Sequence, residues 1–124
     1  MSSKQEVVAV IGAHSDPNRY SYKAFKMLQA HGHTPLLVGV RDKEIDGVAV
    51  VDSIEKLSQT PDTITLYVAP QHSNKMIPAL IASGAKRIIM NPGTANDDLR
   101  AAAEAAGIAV LEKCTLVLLT TGQF

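Results

Sequence analysis

Short apolar runs alternate with amphipathic stretches from one end of the sequence to the other. The first run, Val7-Val8-Ala9-Val10-Ile11, is apolar on both parities and rich in β-branched side chains, the pattern of a strand covered on both faces. It stops at Gly12. Pro17 suits the first turn of a helix capped by Ser15 or Asp16, and Tyr20, Ala24, Phe25, Met27 and Leu28 recur at helical spacing until Gly32. Leu36-Leu37-Val38 reads as a second strand. Val48-Ala49-Val50-Val51 reads as a short third strand or extended segment, followed by a minor helix around Ser53 to Leu57.

The second half continues the alternation. Thr63 to Val68 is a fourth strand, broken by Pro70. A helix is expected from about Ser73 to Ser83, kinked at Pro78 or starting late with Pro78 in its first turn. Arg87-Ile88-Ile89-Met90 is a fifth strand. Asn96 caps an alanine-rich helix through Ala106, and Gly107 ends it. Ala109-Val110-Leu111 is a short last strand, and Leu116 to Leu119 is a final apolar segment, strand or short helix. This order predicts an α/β protein with a Rossmann-like, doubly wound, mostly parallel sheet flanked by helices in three layers. No repeat, low-complexity tract or linker interrupts it, so residues 1–124 read as a single domain.

Composition narrows the function classes. Hydrophobic residues make up 46% and charged residues 19%, as in folded rather than disordered chains. Twelve basic and twelve acidic residues cancel, so no global field draws the protein to nucleic acid or to an anionic membrane. The apolar runs fall short of the roughly 18 residues that a membrane span requires. The single cysteine, Cys114, excludes an intramolecular disulfide, and Met1 to Val10 lacks the charged and apolar regions of a signal peptide. The chain therefore reads as cytoplasmic, with a small-molecule nucleotide cofactor as its partner. Leu116 to Leu119 suits a cover for the sheet edge or a contact in a homodimer or with a partner protein.

An anion site has to be local. In open parallel sheets ligands bind beyond the carboxyl ends of the strands, where the strand order reverses, which points to the loop Gly12-Ala13-His14-Ser15-Asp16-Pro17-Asn18. Gly12 allows a tight turn, and the following helix start suits a phosphate. Arg19, Lys23 and Lys26 share one helix face; a cation in the first turn opposes the helix dipole and is explained by a bound anion nearby. A solvated basic face is the plain alternative for Lys23 and Lys26. His14 and Pro17 replace glycines of the G-x-G-x-x-G fingerprint, and the second strand ends in Gly39-Val40-Arg41 where an NAD site places an acid. A cation there suits a ribose phosphate, as in NADP or coenzyme A. Two further loops flank the same edge: Ala69-Pro70-Gln71-His72-Ser73 and Asn91-Pro92-Gly93-Thr94, either of which is also good turn chemistry.

Together these residues resemble the CoA-binding domain family, the small Rossmann-like module also found in the α subunit of succinyl-CoA synthetase, and in particular its single-domain members. The resemblance runs from Val7-Val8-Ala9-Val10-Ile11-Gly12-Ala13-His14-Ser15-Asp16-Pro17 through Leu28 to His33, Leu66 to Pro70 and Asn91 to Thr94, and on to Cys114 to Leu119 and Thr121 to Phe124. It implies coenzyme A, or an acyl-CoA, with its phosphates at the loop from Gly12 through Ala13 and His14 to Ser15 and near Arg19 and Lys23. It implies the adenosine end between Val40 and Arg41 on one side and Val68 to Pro70 on the other, with Asn91 and Gly93 completing the site. Family members often carry Asn-Pro after the second strand, where this chain has Gly39-Val40.

No catalytic set is legible. His31 and His33 flank Gly32 and read as solvated turn residues, while His14 and His72 lie on ligand loops without an orienting partner. Cys114 has no metal-ligand spacing and reads as a small core residue at a strand end, with disulfide exchange with the thiol of bound coenzyme A as a second role. The expectation is a non-catalytic carrier, sensor or accessory module that binds coenzyme A through a phosphate-binding loop. The alternative is an NADP- or acyl-CoA-dependent enzyme.

Overall fold

Strand β1 (Val7–Ile11) lies at the middle of the sheet, with Val8, Ala9, Val10 and Ile11 all fully buried. The computed structural model describes residues 5–124; Met1 to Lys4, part of the amino-terminal stretch read above, lie outside the described residues. After β1 come α1 (Tyr20–Ala30), β2 (Thr34–Val38), β3 (Glu44–Ile45), β4 (Val48–Val51) and a 3-10 turn at Ile54–Lys56. The remainder is β5 (Thr63–Leu66), α2 (Pro70–Ser73), a second 3-10 turn at Asn74–Met76, α3 (Ile77–Ala82), β6 (Arg87–Met90), α4 (Asp97–Ala105), β7 (Ala109–Glu112) and α5 (Thr115–Thr120).

The strands line up in the order β3-β4-β2-β1-β5-β6-β7. All neighbours are parallel except the pair β3 and β4. From β1 the chain moves to β2 on one side, and from β4 it returns to β5 on the other. The switch point therefore lies between β1 and β5, whose register pairs Ile11 with Leu66 at their carboxyl ends.

Alternate side chains feed two cores. On one face Val8, Val10 and Leu37 pack with Phe25 and Leu28 of α1 and Leu119 of α5. On the other Ala9, Ile11, Ile64, Leu66, Ile88 and Met90 pack with Leu80 of α3 and Leu99 and Ala103 of α4. Burial of each large aliphatic or aromatic side chain contributes about 1.5–3 kcal/mol. The three layers expected from the sequence are present, and the fold is Rossmann-like.

Three local readings change. The turn Asp16 to Arg19 closes on itself, with Asn18 N–H donating to Asp16 Oδ1 (2.9 Å) and Arg19 N–H to the Asp16 carbonyl (3.0 Å). The capping chemistry of Asp16 and Pro17 thus serves a turn, and α1 begins later, with Arg19 in the cap position. The segment expected as one helix from Ser73 to Ser83 is divided, and Pro78 stands in the first turn of α3. His33 is buried rather than solvated. Its Nδ1 accepts from Glu6 N–H (3.0 Å) and its ring centroid lies 5.0 Å from that of Phe124.

Candidate functional site

The carboxyl ends of β2, β1, β5 and β6 open onto a connected series of hollows. One of 270 Å³ is bounded by Gly12, Gly39, Val40, Val68, His72 and Met76. A second, of 230 Å³, shares Gly12 and Val68 and adds Arg19, Tyr20, Tyr67, Pro92 and Gly93. A third, of 200 Å³, shares Tyr20, Tyr67 and Pro92 and ends at Asn91, Cys114 and Leu116. At about 4.8 Å per strand spacing, the crevice crosses roughly 15 Å of sheet edge. A larger depression of 510 Å³ lies elsewhere, between the 3-10 turn at 54–56, the residues leading into β5, and α3. Its lining includes Glu55 and no lysine or arginine, so it offers an anion no opposite charge.

Close backbone approach shapes the crevice. Gly12 has φ +95°, and a Cβ there would stand 3.0 Å from both the Tyr67 carbonyl oxygen and Val68 Cγ1. Gly39 has no such φ, yet a Cβ there would meet the Ala13 carbonyl oxygen at 2.7 Å. The β1 and β2 loops are therefore pressed together, and a larger residue at position 39 would part them.

The same loops are locked by hydrogen bonds. Gly12 and Ala13 N–H both donate to the Val38 carbonyl (2.9 Å each). The Ser15 N–H and hydroxyl each donate to Asp42 at 3.1 Å. Asp16 N–H donates to His14 Nδ1 at 3.0 Å. Most loop amides are thus spent internally. Among the described residues, the N–H groups of Tyr20, Ser21 and Tyr22 at the start of α1 have no acceptor, and no acid stands in that first turn.

Uncompensated cations border this opening. Arg19 and Arg41 make no ion pair among the described residues, whereas Lys26 is tied to Asp46 at 3.1 Å. Lys23 Nζ lies 5.3 Å from the Tyr20 ring centroid and lines none of the hollows. Arg41 Nη1 stands 2.9 Å from His14 Nε2. Because His14 Nδ1 already accepts from Asp16, the neutral ring carries its proton on Nε2. Arg41 and the His14 ring thus stand in direct contact where the loops after β1 and β2 meet.

The other predicted residues divide by role. Val40 is 94% exposed at the tip beyond β2, and Val68 forms the opposite wall. Gly93 lines the rim with open space beside it. Pro70 starts α2 and does not line the hollows, although its neighbour Ala69 does. The Asn91 amide is wholly engaged: Nδ2 donates to Thr65 Oγ1 (2.8 Å) and the Leu66 carbonyl (2.9 Å), and Oδ1 accepts from Thr115 N–H (2.8 Å). Asn91 positions the rim, each of its side-chain polar atoms already holding a partner within the protein.

Sequence reasoning missed Tyr67, Leu116 and Asp42, and read Tyr20 as part of the apolar helix face. Tyr20 is 66% exposed on the crevice. The Tyr67 hydroxyl is buried and makes no hydrogen bond. Burial pushes its pKa up to about 12, a rise opposed by the nearby Thr65 and Thr115 hydroxyls, which are bonded to each other at 2.8 Å. Cys114 is half-buried in the cap position of α5, beside Tyr67, rather than in the core. Among the described residues no three His, Cys, Asp or Glu side chains gather as a metal site requires, and no helix is long and apolar enough to cross a membrane.

Residues 6–120 match the sequence pattern of the family described as CoA binding domain. The α subunit of the ADP-forming acetate–CoA ligase II of Pyrococcus furiosus is 33% identical over 82 residues, covering 65% of this chain. The match spans only 17% of that protein. A crystal structure of an uncharacterized protein superposes with a TM-score of 0.88 at 32% identity, covering 98% of this chain and all of the other. The protein called cell-free ID.343, from Thermus thermophilus, also superposes at 0.88, with 24% identity over 97% of this chain and 91% of its own.

Proposed function

The chain belongs to the CoA-binding domain family, and from that premise we propose that it binds coenzyme A in the crevice at the carboxyl ends of β2, β1, β5 and β6, as a non-catalytic carrier, sensor or accessory module. The observation that carries this reading is the pair of cations without an acid partner along the crevice, Arg19 with the first N–H groups of α1 on its middle hollow and Arg41, beside His14, at the tip beyond β2 next to Gly39 and Val40. These groups fit the phosphates of the cofactor. Arg41 and the exposed Val40 suit the phosphorylated adenosine, with Val68 on the facing wall. The crevice then becomes apolar towards Tyr20 and Leu116, which suits the pantetheine arm.

In this arrangement the chain's own residues bind and orient. The α1 amides and the two arginines neutralise phosphate charge, with charge-assisted hydrogen bonds stronger than neutral ones. Asp42 holds the β1 loop in place, and Gly12 and Gly39 let it sit close to the neighbouring strands. When bound, coenzyme A would supply a thiol that carries acyl groups.

Calorimetric titration with CoA, dephospho-CoA, NADP and NAD in parallel tests the reading. The expected result is selective CoA binding, weakened without the 3′-phosphate and weakened by roughly 1–3 kcal/mol in Arg19→Ala. Preference for NADP, or unchanged CoA affinity in that variant, would overturn the proposed site.

A further inference from the structure

The hollow between the tips of β2 and β5 is apolar on nearly every side. Val38, Val40, Val68 and Met76 supply its walls, and Asp52 and His72 are the only polar side chains in its lining. His72 belongs to α2, on the β5 side. Asp52 follows directly on β4, the strand beyond β2, and so stands at the opposite border. Gly39 N–H donates to the Val51 carbonyl (2.9 Å), which fixes Asp52 beside the β2 tip.

Asp52 also borders a neighbouring hollow of 350 Å³ that contains Arg41 and Lys43. A carboxylate there repels a bound phosphate, a cost that is offset when the same carboxylate accepts a hydrogen bond from the ligand. Lys56 Nζ lies 2.9 Å from Asp52 Oδ1, and Oδ2 stands outside that ion pair. The hydrogen bond from Lys56 holds the Asp52 carboxyl below the usual carboxylate range, so it is an ionised acceptor at neutral pH.

From this placement we infer that Asp52 reads the base of the bound nucleotide, its carboxylate accepting from the exocyclic amine of adenine, and thereby confines the site to 6-aminopurines. The inference rests on the coenzyme A reading above. Phosphates held by Arg19 and the first amides of α1 lie over the middle hollow, which meets this one at Gly12 and Val68. The base then extends away from them, towards β4, with its polar edge leading. At about 30 Å³ per water, the 270 Å³ of the hollow equal about nine waters, close to the roughly ten non-hydrogen atoms of a purine ring system.

Apolar walls pack against the faces of any purine and discriminate weakly, whereas a hydrogen-bonding group at the edge discriminates strongly. Adenine presents an N–H donor to the carboxylate. Hypoxanthine and guanine present a carbonyl oxygen in its place, which sets two acceptors against each other.

The test compares CoA with its hypoxanthine analogue, in which a 6-oxo group replaces the 6-amino group, by calorimetry on the wild type, Asp52→Asn, Asp52→Ala and Lys56→Met. The Asp52 and Lys56 side chains are each 63% exposed, so all three variants are expected to fold. The wild type should bind CoA at least about tenfold more tightly than the analogue. Asp52→Asn keeps the size and can turn an amide N–H towards a carbonyl, so its ratio should fall to within about threefold of unity, and Asp52→Ala should fall similarly. Lys56→Met breaks the ion pair and leaves the carboxylate, and should keep the wild-type ratio. Equal affinities in the wild type, or a ratio unmoved by either Asp52 variant, would overturn the base-reading role while leaving cofactor binding intact. A ratio that falls as far in Lys56→Met as in Asp52→Asn would assign the effect to the ion pair and overturn it too. If neither ligand binds, the cofactor reading and this inference fail together.

Discussion

Asp42 clasps Ser15, one carboxylate oxygen accepting from its backbone N–H and the other from its hydroxyl, each at 3.1 Å. The clasp joins the loop after β1 to the loop after β2 across 27 residues of sequence. Hydrogen bonds to a charged acceptor are worth about 1.5–3 kcal/mol each. Asp42→Ala should therefore raise amide exchange at Ser15 at least about tenfold while leaving Val10 in β1 protected. Unchanged exchange at Ser15 would mean that the loop is held by other contacts.

Gly39→Ala separates steric cost from backbone strain. The Gly39 backbone lies outside the left-handed region, so the added methyl meets only one obstacle, the Ala13 carbonyl oxygen at 2.7 Å. The variant should lose about 1–3 kcal/mol in urea unfolding, with weaker CoA binding as the loops part. A neutral outcome in both assays would show that the β1 loop gives way easily.

Asn91→Ala removes three hydrogen bonds in one step. It leaves the Leu66 carbonyl and the Thr115 N–H without their side-chain partner inside the protein. The expected loss is about 2–5 kcal/mol, a fall in Tm on the order of ten degrees. A near-native melting temperature would show that water replaces the amide.

His33 should make the protein acid-sensitive. Desolvation lowers its pKa below 6.5, opposed by attraction to Glu6 and assisted by repulsion from His31 and Arg87. The unfolded chain then binds the proton more readily than the folded one. Its contribution to stability is accordingly complete above pH 6.5 and is lost as pH falls through the lowered folded value. Ring-proton NMR should give His33 a pKa below 6.5, and thermal melts should decline over that window. A titration at or above 6.5 would contradict the buried setting.

Much of the architecture was legible because the strands are unambiguous. Val7–Ile11 is an apolar run rich in β-branched side chains and Arg87–Met90 is built around Ile88-Ile89, and both were bounded correctly from sequence. The two-residue β3 was missed, being too short for any periodicity, although Asp46-Gly47 spells the turn that precedes β4. Both turn residues have positive φ, 48° and 84°, as a two-residue hairpin of this type needs. The start of α1 was misplaced because the same Asp-Pro chemistry caps helices and closes turns.

The candidate site was legible at its charged end only. Gly12, Arg19 and Arg41 follow strand ends or begin a helix, so their location follows from topology alone. Tyr67, Cys114 and Leu116 meet only when β5, β6 and α5 pack side by side, and no local pattern announces that contact. His33 differs from His31 through the approach of Glu6 and Phe124, which lie far from it in sequence.

The antiparallel pair at one side of the sheet gives the two lateral borders different exposure to uninvited neighbours. A foreign chain seeking to extend the sheet beyond β3 finds a two-residue stub bearing Glu44, too brief to template a ladder. Beyond β7 it finds four residues, with Glu112 occupied by Arg100. Strand addition leading to aggregation is thereby confined to a single border, and a charged substitution at the exposed Ala109 is the economical place to close it.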